Sequence, residues 1–352
     1  MPIESDSIFY YDDQANIFHT SYEVWNARQQ SKRAFFYYYD RQFAKYDWTS
    51  EPTKTLQQLY LERAQQIRND YEYVILCYSG GNDSSNVLET FYYNNIHIDE
   101  IVIVGALSQD KTQGTDDNHN ADIYFNAIPT INSMNLPNTK ITIIDYAKFF
   151  TDINQFSLIK DHGIDYFQYI GTHSSPHNLF WRDFRKFVGK DNNKKTAWIM
   201  GVEKVEIDYW STDGRPYVYF KDANILNYGM NIKDENFERV NFYNGYNETA
   251  VNIQIKQAHI LHRALSLIED EEKKKIAFQS RHFKNKLFYL KEHIKLAHQS
   301  DKSTFRFLSA RDMYLRETTN SDIYSIYSQG LSKYQEFLRS GIKIRSKPYF
   351  IT

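Results

Sequence analysis

The sequence predicts an α/β protein built on a doubly wound, mainly parallel sheet, with a helical region towards its C-terminus. Three observations predict it. Short, continuous runs of apolar and β-branched residues recur at 73–78, 101–104, 141–144 and 198–202, the pattern of strands buried on both faces. Stretches with apolar residues at helical spacing lie between runs, as in βαβ units. A glycine pair, Gly80-Gly81, breaks the first run directly before one of those helical stretches.

In chain order, residues 1–54 carry aromatic clusters, Phe9-Tyr10-Tyr11 and Phe35 to Tyr39, among charged residues. The segment Trp48 to Pro52 reads as a turn into a helix, with Pro52 suited to a first helical turn. Leu56, Leu59, Tyr60, Ala64 and Ile67 follow at helical spacing, with Arg63 and Arg68 on other faces. The strand Tyr73 to Tyr78 leads through the glycines into a helix over Ser84–Tyr93, marked by Val87, Leu88 and Phe91. Strands at Ile101–Val104 and Ile141–Ile144 flank a helix over about Asp122–Met134, and Trp198–Val202 reads as a fourth strand. Tyr217–Phe220 reads as a short β segment after the Asp213-Gly214 turn. From Val251, apolar residues at Ile253, Ile255, Ala258, Leu261 and Leu265 begin a mostly helical region reaching about Leu338. The expected division is an N-terminal aromatic-rich segment (1–54), an α/β core (55–225) and a basic, mostly helical region (226–352).

The 352 residues suffice for such a core plus a helical addition. No apolar run approaches the roughly 20 residues that cross a bilayer, and the acidic start Met1-Pro2-Ile3-Glu4 has no leader pattern. A single cysteine, Cys77, excludes an internal disulfide, a cysteine zinc site and a dithiol redox pair. A cytoplasmic protein with no membrane partner is therefore expected. Abundant Tyr, Phe, Asn, Lys and Ile with few Gly and Pro look like AT-rich coding, as in many phages and some low-GC bacteria; a phage origin would make the location the host cytoplasm.

Charge is near balance at −2, but unevenly spread. Lys273 to Arg316 holds twelve Lys/Arg against three Asp/Glu. Either this is the solvated side of amphipathic helices, with Phe283, Leu287, Leu290 and Ile294 as the buried stripe, or it is a surface for a polyanion. On the second reading Phe278, Phe283, Phe288 and Tyr289 would stack on bases. The histidine pair in Gly171 to Asn178 (His173 and His177) reads as part of a loop leading into a helix, because Pro176 interrupts regular metal-ligand spacing. His259 and His262 read as packing residues, and Cys77 as a small buried hydrophobe.

The chemically informative segment is strand, then Ser79-Gly80-Gly81-Asn82-Asp83-Ser84-Ser85, then helix. Its glycines permit positive φ and close approach of a ligand to the backbone. Backbone N–H groups at a helix N-terminus favour an anion, and Ser79, Ser84 and Ser85 add hydroxyl donors. Asp83 would repel a bare phosphate, which points to a Mg²⁺ shared with the ligand. A plain helix cap is the alternative, but it requires only one Asp or Ser. No Gly-Lys-Ser/Thr follows, so this is not a Walker A loop.

The segment resembles the signature of the PP-loop superfamily, the N-type ATP pyrophosphatases: Ser-Gly-Gly-x-Asp-Ser. Ser79, Gly80, Gly81, Asp83 and Ser84 meet every fixed position. The Trp48 to Ser84 region also looks like phage-encoded PAPS reductase-like proteins. The resemblance implies ATP and Mg²⁺ as cofactors, with Ser79 to Ser85 gripping the pyrophosphate portion and Asp83 at the metal. It implies adenylation of an acceptor with release of pyrophosphate, then attack by a nucleophile. It further implies that adenine lies near Gly105 and Ala106, and that Lys204, emerging after the fourth strand, reaches a phosphate as a point charge. The missing cysteines argue against a reductase or a persulfide-based thiolase. An AMP-forming ligase or synthetase remains, acting on an acceptor such as a nucleotide or nucleic acid. Alternatives are a silent nucleotide-binding accessory protein, or a nucleic-acid-binding protein that uses its basic region.

Overall fold

The computed structural model of the chain describes residues 10–18, 24, 27–28, 30, 35–37, 40–105, 123–145, 187–189, 193–201, 205–220, 236–289 and 346–352. The chain begins with a small antiparallel sheet of β1 (Tyr10–Asp12), β2 (Ile17–Phe18) and β3 (Phe35–Tyr37), in the order β2-β1-β3. A short helix α1 (Asp40–Phe43) follows.

The helix expected after Pro52 starts later, as α2 (Leu56–Asp70). The reason is a capping box: Thr55 Oγ1 accepts from Gln58 N while Gln58 Oε1 accepts from Thr55 N. Its apolar stripe is buried as expected, but Arg63 is buried too. The guanidinium donates to the carbonyls of Asn241 (2.8 Å) and Phe242 (3.2 Å), so its charge is spent on backbone acceptors inside the fold.

Strand β4 (Tyr73–Cys77) is followed by α3 (Asn82–Tyr93), β5 (Glu100–Gly105), a π-turn at Ile123–Ala127, α4 (Ile128–Ser133) and β6 (Lys140–Asp145). The helix expected over 122–134 is thus divided, and Pro129, which has no N–H to donate, stands just past the junction. Next come β7 (Thr196–Met200), β8 (Glu206–Tyr209), β9 (Pro216–Tyr219) and β10 (Phe237–Asn241). Then α5 (Glu248–Ser266), α6 (Glu271–Gln279) and α7 (Arg281–Phe288) form the described helical part, and β11 (Tyr349–Phe350) closes the chain.

The main sheet has the order β10-β7-β4-β5-β6, and each neighbouring pair is parallel. The chain steps outward from β4 through β5 to β6, then returns to the other side of β4 for β7 and β10. The direction therefore reverses between β4 and β7, the crevice where open α/β sheets bind ligands beyond the carboxyl ends of their strands.

Both faces of the central strands are buried. Val74, Leu76, Ile101, Ile103, Ala197 and Ile199 join the stripes of α2, α3 and α5 in one core. Alternate residues Ile75, Val102, Trp198 and Phe237 are at most 2% exposed on the opposite face. The sheet extends past residue 225, where the sequence placed the helical region, because β10 is its fifth strand. A second sheet, β11-β9-β8, is antiparallel and brings the C-terminal strand against β9. No helix among the described residues is long and apolar enough to cross a membrane.

Candidate functional site

The loop between β4 and α3 is built as the Ser-Gly-Gly spacing requires. Gly80 has φ +74°, a conformation that disfavours any side chain. Gly81 is the N-cap of α3, in extended conformation and with no side-chain cap. The plain helix-cap reading, in which Asp or Ser caps the first turn, therefore does not describe this terminus.

The serines divide by exposure. Ser79 is exposed and Asn82 and Asp83 are half-buried, whereas Ser84 and Ser85 are buried. Ser84 Oγ lies 3.1 Å from Ser79 Oγ and accepts from Ser79 N at 3.3 Å, while also donating to Gly81 O. Ser85 Oγ lies 3.3 Å from Tyr78 OH. The two buried hydroxyls brace the loop from behind, and Ser79, Asn82 and Asp83 form its accessible rim.

Strand register sets the neighbours of the loop. Cys77 is aligned with Met200 on β7, and Met200 with Asn241 on β10. Gly201 follows Met200, and a Cβ there would stand 2.9 Å from Asp83 O and 3.0 Å from Ser84 Cα. Glycine lets the end of β7 lie directly against the first turn of α3. Gly105 ends β5 at the same carboxyl edge and is buried. Ala106, Lys204 and the loop Gly171 to Asn178 lie outside the described residues.

Asp83 is held by two tyrosines, and a third packs against one of them. Tyr289, just past α7, donates to Asp83 Oδ1 at 2.6 Å. Tyr243, just past β10, donates to the Asp83 carbonyl at 2.9 Å and accepts from Asn86 Nδ2 at 2.8 Å. Tyr60 on α2 packs edge-on to Tyr243 at 5.6 Å between ring centroids, accepts from Gln257 Nε2 and donates to Phe288 O. Burial, followed by the neighbouring Tyr243, pushes the Tyr289 phenol well above its ordinary range, so it stays a donor. Sequence reasoning missed this frame, because its members come from distant stretches with no shared motif.

ATP with Mg²⁺ calls for donors to a phosphate chain and an acceptor for the metal. An N-cap glycine, a positive-φ glycine and an exposed serine suit a phosphate chain. Among the described residues no group of three or more His, Cys, Asp or Glu forms a metal cluster. A single carboxylate at a phosphate loop, as Asp83 is, suits a Mg²⁺ that shares its coordination with phosphate and water.

Two expectations for the outer residues resolve. Phe288 and Tyr289 are buried and not free to stack on bases, while Phe278 and Phe283 are half-buried against the core. The described part of the basic segment, residues 273–289, holds six Lys/Arg and no Asp/Glu, so the charge excess stands there as counted. Glu269, Asp270, Glu271 and Glu272 precede its lysines, and Asp270 caps α6 through Glu272 N and Lys273 N. Cys77 is half-buried at the end of β4, and desolvation pushes its thiol well up. His259 is buried and bonded to Trp48 O at 3.1 Å, a packing histidine. No family model matches the chain, and no curated protein or solved structure matches it.

Proposed function

We propose that the chain binds ATP with Mg²⁺ at Ser79 to Ser85 and is an AMP- and pyrophosphate-forming enzyme of the PP-loop type. The observation that carries this reading is the placement of a complete Ser-Gly-Gly-x-Asp-Ser loop at the switch point of a parallel sheet, with Gly80 in the left-handed region. Bound there, ATP would supply an α-phosphorus for attack by an acceptor oxygen, with pyrophosphate leaving. The protein's share is to bind and orient. First-turn N–H groups of α3 and Ser79 Oγ would hold phosphate oxygens, and Asp83 would hold the metal. Lys204 is proposed to neutralise a terminal phosphate, and Gly105 with Ala106 to seat adenine. The acceptor class is proposed as a nucleotide or nucleic acid, and the location as cytoplasmic.

The test is product analysis with ATP, Mg²⁺ and a panel of nucleotide and nucleic-acid acceptors. AMP and pyrophosphate support the reading, whereas ADP and orthophosphate alone refute it. Asp83→Ala should abolish Mg²⁺-dependent turnover with the fold intact. A second reading is binding without turnover. Nucleotide affinity with no product in any combination would support it.

A further inference from the structure

We propose that Tyr289 is a positioning residue for Asp83, orienting its carboxylate for the metal that accompanies the nucleotide; this rests on the nucleotide reading above. The geometry is specific. Tyr289 OH donates to Asp83 Oδ1 at 2.6 Å. Tyr243 separately fixes the Asp83 backbone through its carbonyl at 2.9 Å. Main chain and side chain are thus set by different tyrosines, whose rings lie 5.8 Å apart. Tyr289 itself is buried and follows directly on α7, whose last turn is tied to α2 by the Tyr60 OH to Phe288 O bond. The hydroxyl is therefore presented by a packed frame and not by a free side chain.

Carboxylates that ligate metals are commonly held by a second hydrogen bond, and losing that partner typically costs about 10- to 100-fold in metal affinity. A donor on Oδ1 fixes the carboxylate's rotation and favours use of one oxygen by the metal. The opposite reading is that the hydroxyl competes with the metal for Oδ1, in which case its removal would tighten binding.

Calorimetric titration with α,β-methylene ATP, with and without Mg²⁺, separates these outcomes for the wild type, Tyr289→Phe, Tyr243→Phe and Asp83→Asn. Tyr289→Phe keeps the ring and its packing, and the Mg²⁺-free affinity checks that the loop remains formed. The expected result is a gain in affinity from Mg²⁺ that falls about 10-fold or more in Tyr289→Phe, with Mg²⁺-free affinity unchanged. Tyr243→Phe should weaken both affinities together, because it loosens the loop's backbone. Tyr289→Phe combined with Asp83→Asn should lose no more of the Mg²⁺ gain than Asp83→Asn alone. An unchanged or enlarged gain in Tyr289→Phe overturns the proposal and leaves the nucleotide reading standing. A wild type that binds no analogue in either condition overturns both.

Discussion

At the residue scale, glycines at this site serve two different needs, and substitution tells them apart. Gly80 is required by its φ, and so is Gly214 in the β8–β9 turn, where φ is +70° and an added Cβ would meet nothing within 4 Å. Gly214→Ala should therefore cost only the left-handed penalty, about 1–2 kcal/mol. Gly201 is required by space: its Cβ would meet backbone atoms of Asp83 and Ser84 at 2.9–3.0 Å, and backbone cannot swing aside. Gly201→Ala should cost about 1–3 kcal/mol in urea unfolding and also weaken nucleotide binding. Wild-type affinity in that variant would contradict the close packing of β7 on the loop. Cys77 makes the converse point. Desolvation holds its thiol protonated, so iodoacetamide at pH 8 should label the native protein far more slowly than a free thiol. Cys77→Ala should retain specific activity, and complete loss in a folded protein would reopen sulfur chemistry. Ser79 to Ser84 was legible because a phosphate loop is written in consecutive residues. Gly201 and Tyr289 were not, because each answers to Asp83 across the fold.

At the element scale, legibility followed burial. Strands β4, β5 and β7 announced themselves as apolar runs, since a central strand in a parallel sheet loses both faces to the core. Strand β6 was expected to be buried in the same way, but as an edge strand it leaves Ile141 and Ile143 exposed. Strand β10, Phe-Glu-Arg-Val-Asn, gave no such signal because this edge strand mixes charge with apolar residues. The two-residue β11 is too short to have a period. Helix α2 was legible from Leu56, Leu59 and Ile67, yet its start was misplaced because Pro52 drew attention from the Thr-x-x-Gln box at 55–58. That box gives a direct test. Thr55→Ala removes the bond to Gln58 N and should cost about 1 kcal/mol, read as a lower urea midpoint with unchanged slope. A midpoint equal to wild type would mean that packing of Leu56 and Leu59 alone fixes the helix start.

At the scale of the whole molecule, the N-terminal segment and the C-terminal strand are held together through one aromatic cluster. Phe43 stacks on Phe220 at 4.1 Å, and Trp48 stacks on Tyr349 at 4.9 Å. Asp40 is the polar centre of this junction. It is buried, and its Oδ1 accepts from Tyr349 OH at 2.5 Å and from Lys347 N at 3.0 Å. Burial outweighs those bonds and raises the carboxyl above its ordinary value of 3.8. The native state therefore keeps this proton to a higher pH than the unfolded chain does. The stability it contributes is complete below the unfolded value and is lost as pH rises through the raised native one. Asp40→Asn keeps an acceptor oxygen for Tyr349 and Lys347 but removes the ionisation. Its stability relative to wild type should increase steadily from acid to neutral pH, measured as paired urea unfolding curves. A difference that stays flat across that range would mean the carboxylate is ionised at no cost, and that the junction is wetter than its packing implies.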